Sequence, residues 1–160
     1  MLVVPVGTTV EFPNDDPIFH NAFSNYNGQI FDIGLYPPGT TRSITFRREG
    51  VVRVFCNIHA AMSAVIVVVS TRYFAVTGKD GSFQIEGVPK GAYRLSFYDE
   101  GAAAKTLEDL SRTVVVGDEI QDLGPISIAE TGYLTIPHLN KYGKPYGPAP
   151  EISAYPGTQP

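Results

Sequence analysis

Residues 50–62 read GVVRVFCNIHAAM, a strand-like run that ends in three side chains able to bind a metal. Apolar residues recur at every second position of Val51–Cys56, and this period of two predicts a β-strand. Cys56, His59 and Met62 then follow with the spacing C-x2-H-x2-M. Because donors so close in sequence can converge from one loop, the stretch predicts a metal site at the end of a strand.

A second imidazole is available upstream, in the stretch Ile18–Asn21, which we expect to form a loop between two strands. This stretch contains His20. Cys56 is the single cysteine of the chain, so the sequence offers one thiolate. One thiolate, two imidazoles and one thioether are the donors of copper electron-transfer sites, in which the thioether binds weakly along the axis. The donor set therefore favours copper.

Other chemistries fit these donors less well. Zinc seldom takes a thioether ligand, and haem attachment needs the spacing C-x-x-C-H, which is absent from the sequence. A cysteine nucleophile would need a base, and His59 is poorly placed for that task only three residues after Cys56. We therefore expect a protein that is not an enzyme.

The composition narrows the class of protein. Of 160 residues, 43% are hydrophobic and 18% are charged, a balance that excludes wholesale disorder. The formal net charge of −4 argues against a nucleic-acid-binding surface, because such a surface is usually basic. A single cysteine excludes an internal disulfide framework, and the longest apolar stretch, Ala64–Val69, is far shorter than the roughly 20 residues of a membrane-spanning helix.

The first part of the chain, residues 1–70, reads as short β-branched runs separated by turns, which is typical of a β-sandwich or barrel. Strands are predicted at Leu2–Val6, Thr8–Phe12, Thr41–Phe46, Val51–Cys56 and Ala64–Val69.

The second part, residues 71–129, continues in the same style after a predicted hairpin turn at Thr77–Gly81. Here the pattern predicts a short helix over Ala102–Leu110 and strands at Ser82–Ile85, Tyr93–Phe97, Val114–Val116 and Ile126–Ile128. Residues 130–160 form a Pro/Gly-rich tail without a hydrophobic period. We interpret the tail as extended or disordered, wrapping the fold through Tyr133, Tyr142 and Tyr146, and expect no metal role for its His138.

Residues 2–69 resemble a cupredoxin, the group of blue copper proteins that includes plastocyanin and amicyanin. The resemblance rests on Val6–Asn14, on the pair His20-Asn21, on the strand from Gly50 to Cys56, and on the two-residue gap between His59 and Met62, which is similar to the short amicyanin loop.

This resemblance implies an all-β Greek-key sandwich with one type 1 copper ion, whose ligands would be His20, Cys56, His59 and Met62. It implies that Asn21 ties the two ligand loops together and that Asn57 is a backbone hydrogen-bonding position beside the thiolate. Cupredoxins normally have a strand before the one predicted at Leu2–Val6, so we expect a chain that is truncated at its N terminus.

Residues 74–98 resemble the carboxypeptidase regulatory-like β-sandwich, which is transthyretin-like (prealbumin-like). The matching residues include Thr77, Asp80-Gly81, Val88-Pro89 and Tyr93, which are turn and core positions. A plastocyanin-like part followed by this pattern resembles bacterial secreted proteins described as plastocyanin-like or methylamine-utilisation proteins.

The cupredoxin resemblance implies one-electron transfer between redox partners in the periplasm or another extracytoplasmic compartment. His59 would be the electron port, and the small side chains of Ala60 and Ala61 would let a redox partner protein dock closely through a weak, transient patch. Two alternatives stay open: a copper carrier or storage protein with the same donors, and a cell-surface binding module whose metal site is vestigial.

Overall fold

The computed structural model describes residues 1–25, 28–131 and 138–147. Within these ranges the chain is nearly all β, with nine strands and one helix. It divides into two compact units, the first built from Met1–Arg72 together with the C-terminal residues 138–147. The second unit is built from the described residues of Tyr73–Ile136.

Seven strands make up the first unit. They are β1 (Leu2–Pro5), β2 (Thr9–Pro13), β3 (His20–Ser24), β4 (Phe31–Tyr36), β5 (Thr41–Thr45), β6 (Gly50–Phe55) and β7 (Ser63–Val69). Five of them form one sheet in the order β1-β7-β6-β3-β4, whereas β2 and β5 form a separate antiparallel pair. In the five-stranded sheet β1 runs parallel to β7 and the other neighbours are antiparallel.

The core of the first unit lies between these two layers. Buried side chains from the five-stranded sheet and from the residue that follows β5 form one cluster, which comprises Val4, Ala22, Phe46, Val52, Val54, Ile66 and Val68. Val10, Phe12 and Ile44 of the β2–β5 pair pack against that cluster. Each fully buried aliphatic or aromatic side chain contributes about 1.5–3 kcal/mol. The predicted all-β sandwich is confirmed for the first unit.

Most strands of the first unit were predictable, but β3 and β4 were not. The sequence places His20 in a loop, whereas in the structure it is the first residue of β3. All five residues of β3 are buried, so the strand has no alternation of polar and apolar residues to reveal it. The pattern of β6 is as predicted, since Val52, Val54 and Cys56 are all buried.

The second unit contains the helix α1 (Ala104–Leu110) and one antiparallel pair, β8 (Gly91–Leu95) with β9 (Arg112–Val116). The predicted turn is present, since the Gly78 N–H donates to the Ser82 carbonyl and the Gly81 N–H donates to that of Gly78.

Two predictions for the second unit are wrong. The stretches Ser82–Ile85 and Ile126–Ile128 are not strands, although both are described. The hydrophobic residues of this unit lack a deep core, because every buried hydrophobic side chain in the described ranges belongs to the first unit. The carboxypeptidase regulatory-like sandwich is therefore not confirmed. Among the described residues, no helix is long and apolar enough to cross a membrane.

Candidate metal centre

Cys56 lies directly after the last residue of β6, where its side chain continues the buried face of that strand and is only 3% exposed. The loop that follows turns back on itself and leads into β7. Within it, the Cys56 N–H donates to the Met62 carbonyl at 3.3 Å, and the Met62 N–H donates to the His59 carbonyl at 3.1 Å. We call residues 56–62 the ligand loop. Its two internal hydrogen bonds bring His59 back beside Cys56.

His20, Cys56 and His59 form a cluster in which one donor atom of each lies within 4.8 Å of the other two. The Cys56 Sγ is 3.8 Å from Nδ1 of His20 and 3.6 Å from Nδ1 of His59. With metal–nitrogen and metal–sulfur bonds of about 2.0–2.3 Å in a trigonal plane, nitrogen and sulfur ligands lie roughly 3.7 Å apart. The cluster therefore has the spacing and the donor types to hold a copper ion.

The surroundings of Cys56 favour its thiolate. Burial alone would raise the pKa of the thiol, but the hydrogen bond with His20 and the backbone N–H groups of Asn21, Ile58 and His59 lower it, and the net shift of the pKa is downward. Because the thiolate is the form that binds metals, this environment prepares Cys56 as a ligand.

The two imidazoles differ in their electrostatic environment. Burial lowers the pKa of His59, and a positive charge on the neighbouring His20 lowers it further. Burial also acts to lower the pKa of His20, but interactions with Cys56 and Asp16 outweigh it and raise that pKa. The rings of His20 and His59 are tilted against each other with their centroids 4.9 Å apart. The neutral ring is the form that binds a metal. Because its pKa is lowered, His59 favours the neutral form more than His20 does.

Asp16 holds the outer nitrogen of His20, with Oδ2 and Nε2 2.7 Å apart. A carboxylate oxygen only accepts, so Nε2 carries a proton, and in the neutral imidazole Nδ1 is then the nitrogen available to bind a metal. Asn14 shapes the loop that carries Asp16: its Nδ2 donates to the Ile18 carbonyl at 2.8 Å, and its Oδ1 accepts from the Asp16 N–H at 3.2 Å. The sequence predicts only a solvated turn at Asp15-Asp16, because no motif or spacing indicates that Asp16 pairs with His20.

Met62 lines the same open cavity, of about 590 Å³, as His20 and Cys56. Its side chain is 42% exposed. The structure thus brings His20, Cys56 and His59 together and places Met62 on the wall of the cavity beside them.

The two asparagines beside the cluster bond to other parts of the first unit. The Asn21 side chain donates from Nδ2 to Asp32 Oδ1 at 2.7 Å, while its buried Oδ1 has no hydrogen-bond partner among the described residues. The resemblance assigns Asn57 a backbone role. The bond observed at Asn57 is made by its side chain, whose Oδ1 accepts from the Lys141 N–H at 3.0 Å.

The C-terminal residues 138–147 contact the ligand loop, and the contact made by His138 is not predicted by the sequence. His138 donates from Nε2 to the Ala60 carbonyl at 2.7 Å, and its ring stacks on that of Phe55 with centroids 4.0 Å apart. The Tyr146 hydroxyl donates to the Cys56 carbonyl at 2.6 Å. No periodicity marks these contacts in the sequence, because each depends on one side chain reaching a distant backbone carbonyl.

The three tyrosines expected to hold the tail against the fold differ in their environments. Tyr146 contacts the ligand loop, Tyr142 is 71% exposed, and Tyr133 lies outside the described residues. Ala60 and Ala61, the two residues expected to admit a partner, are both exposed.

No family model matches this sequence. A curated relative, the methylamine utilization protein MauL of Methylorubrum extorquens, is 37% identical over 59 residues, which cover 36% of this chain and 52% of the relative. The chain therefore spans about half the length of the curated relative that it matches.

Solved structures similar to part of the chain include cupredoxins. A purple cupredoxin from Nitrosopumilus maritimus shares 33% identity, with a TM-score of 0.39, over 42% of this chain and 76% of that protein. A reduced amicyanin variant shares 26% identity, also with a TM-score of 0.39, over 42% of this chain and 67% of amicyanin.

Proposed function

We propose that the protein carries out one-electron transfer through a type 1 copper ion bound by His20, Cys56, His59 and Met62. The observation that carries this proposal is the convergence of one thiol and two imidazoles within 4.8 Å at the end of a β-sandwich. The partial sequence match to a methylamine utilization protein supports it.

Copper bound at this site would supply a reversible one-electron change between Cu(II) and Cu(I). The residues of the chain have separate tasks around it. Cys56 offers a buried thiolate, the carboxylate of Asp16 orients His20, and the ligand loop restrains His59. Ligands held by the fold in the same positions for both oxidation states reduce the reorganisation that accompanies each transfer.

The protein does no chemistry on a substrate in this proposal, so it is a carrier of electrons and not an enzyme. Electrons would pass through His59, which is only partly buried, beside the exposed Ala60 and Ala61. A small apolar surface of this kind suits the weak, transient docking of a redox partner. We place the exchange in an extracytoplasmic compartment, such as the periplasm.

The visible spectrum after addition of Cu(II) to the metal-free protein tests the site. We expect one equivalent of copper to give an intense thiolate-to-copper band. Cys56→Ser should abolish the band, because a hydroxyl cannot replace a soft, covalently bound thiolate. Retention of the band in Cys56→Ser, or its absence from the wild-type protein, would remove the proposed site.

Electron transfer is a separate claim from copper binding, and it needs its own measurement. We expect the loaded protein to be reduced and reoxidised repeatedly without losing copper, with rapid electron self-exchange between molecules. A protein that binds Cu(II) with the expected spectrum but releases the metal on reduction would instead be a copper carrier.

A further inference from the structure

We propose that the C-terminal residues 138–147 position the ligand loop from outside, with His138 and Tyr146 as positioning residues. These residues touch backbone carbonyl groups of the loop and not the donor atoms. Only the functional consequence of this role rests on the proposed copper site. The contacts themselves belong to the metal-free protein.

The hydrogen bonds of the ligand loop show why it needs outside contacts. The loop has left the sheet, and its two internal bonds occupy the carbonyl groups of Met62 and His59. The carbonyl groups of Cys56 and Ala60 accept instead from Tyr146 and His138. These bonds fix the loop at Cys56, which begins it, and again at Ala60, the residue after His59.

His138 and Tyr146 also support each other. The His138 ring lies between Phe55, on which it stacks with an interplanar angle of 22°, and Tyr146, which meets it edge-on at 5.1 Å. Its Nδ1 is 3.2 Å from the Tyr146 hydroxyl oxygen. Phe55 is the last residue of β6, so the stack connects residues 138–147 to the rigid sheet immediately before Cys56.

Lys141 links residues 138–147 to Asp32, which is bonded to the strand that carries His20. Its backbone N–H donates to Asn57 Oδ1 in the ligand loop, and its ammonium group donates to Asp32 Oδ2 at 2.8 Å. The other oxygen of Asp32 accepts from Asn21, the neighbour of His20. Through Asp32, Lys141 therefore connects the ligand loop to the strand that begins with His20.

Amide hydrogen exchange of the full-length, metal-free protein tests this role without copper. The informative amides are those of Cys56 and Met62, whose hydrogen bonds close the ligand loop. Tyr146→Phe removes one hydroxyl, and His138→Phe keeps a ring that can stack on Phe55 but removes the bond to Ala60. In each variant we expect these two amides to exchange about fivefold to tenfold faster, since a net hydrogen bond has an effect of that size.

Tyr93→Phe is the matched control, because it removes the same hydroxyl from β8 in the second unit. It should leave exchange in the ligand loop unchanged. Unchanged exchange at Cys56 and Met62 in both Tyr146→Phe and His138→Phe would overturn the proposal. Equal acceleration at the amides of β6 and β7 would also overturn it, because residues 138–147 would then stabilise the whole sandwich and not position the loop.

The functional consequence is tested with Cu(II) alone. We expect Tyr146→Phe and His138→Phe to bind one equivalent but with a shifted thiolate-to-copper band and a changed copper hyperfine coupling, and Tyr93→Phe to match the wild type. Wild-type spectra in both positioning variants would overturn this part of the proposal. Absence of a copper band from the wild-type protein would refute the proposed function, while the exchange data would still decide the positioning role.

Discussion

The carboxylate of Asp16 lies 2.7 Å from the outer ring nitrogen of His20, on the side of the ring opposite to Cys56. His20 is 6% exposed, whereas the side chain of Asp16 is 62% exposed. A buried imidazole is thus oriented by an acidic group at the surface. The two ring nitrogens of His20 therefore have different tasks: Nδ1 faces Cys56 and the proposed metal, and Nε2 is held by Asp16.

Replacing Asp16 by Asn should weaken Cu(II) binding. The amide cannot carry the negative charge that supports the protonated Nε2, and loss of such partners commonly lowers metal affinity by about 10- to 100-fold. We expect the lower end of that range, because solvent screens an exposed carboxylate. A competition titration with a Cu(II) chelator measures the change. Asp15→Asn removes a neighbouring exposed charge and is the control, so equal losses in both variants would mean a general charge effect.

Substitution of Met62 should shift the reduction potential while the band of the Cys56 thiolate remains. Met62→Gln supplies a harder oxygen donor, which favours Cu(II) and lowers the potential. Met62→Leu removes the axial donor and makes the site drier, which disfavours Cu(II) and raises the potential. Voltammetry decides by sign. Potentials equal to that of the wild type in both variants would show that Met62 is not a ligand.

The bridge between Asp32 and Lys141 predicts a stability change in acid. Burial acts to raise the pKa of Asp32, but hydrogen bonds from Lys141, from the Gly34 N–H and from Asn21 outweigh it and lower the pKa below its ordinary value of 3.8. A carboxyl whose pKa is lower in the folded state contributes stability that is complete above 3.8 and is lost as the pH falls through the folded pKa.

Urea unfolding of the metal-free protein between pH 6 and pH 3 measures this contribution. We expect the free energy of unfolding to fall less steeply toward low pH in Asp32→Asn than in the wild type, because that variant has no carboxyl to protonate at this position. Lys141→Met should also flatten the dependence, since it removes the group that holds the pKa down. Identical pH profiles in all three proteins would contradict the role assigned to the bridge.

Gly28 should not tolerate a side chain. A Cβ at this position would lie 2.7 Å from the Val51 carbonyl oxygen, and the backbone φ of +123° is itself unfavourable for any other residue. We expect Gly28→Ala to lower the free energy of unfolding by about 3 kcal/mol or more, combining backbone strain and a clash with β6. Chemical denaturation measures the loss.

Gly39 separates those two causes, because it has a φ of +69° and open space around the position of a Cβ. Gly39→Ala should therefore cost only the backbone term, about 1 kcal/mol. If the two variants lose the same free energy, the close approach of Gly28 to Val51 has no energetic consequence.

The sequence predicts the candidate metal-binding side chains better than it predicts the residues that hold them in place. Cys56, His59 and Met62 are close in the chain and follow an alternating strand, so their place in one loop is predictable from local sequence. The position of His20 is not local. It depends on a wholly buried strand that has no alternation, so the sequence pattern predicts a loop at this position.

The supporting contacts are long-range and made by ordinary polar residues. Asp32 and Lys141 are 109 positions apart, and neither belongs to a motif. Their pairing follows from the packing of residues 138–147 on the first unit, which a Pro/Gly-rich composition does not reveal. The described residues of the second unit contain no buried hydrophobic side chain, and two runs with strand-like composition, which need a core to pack against, do not form strands there.

The bond between Tyr146 and the Cys56 carbonyl joins residues 90 positions apart, with the second unit between them in the chain. During synthesis from the N terminus, all seven strands of the first unit are made long before Tyr146. The sandwich can then form before the carbonyl groups of Cys56 and Ala60 have their hydrogen-bond partners from the C-terminal residues. In that interval the ligand loop opens more often in the nascent chain than in the finished protein, because fewer hydrogen bonds hold it closed.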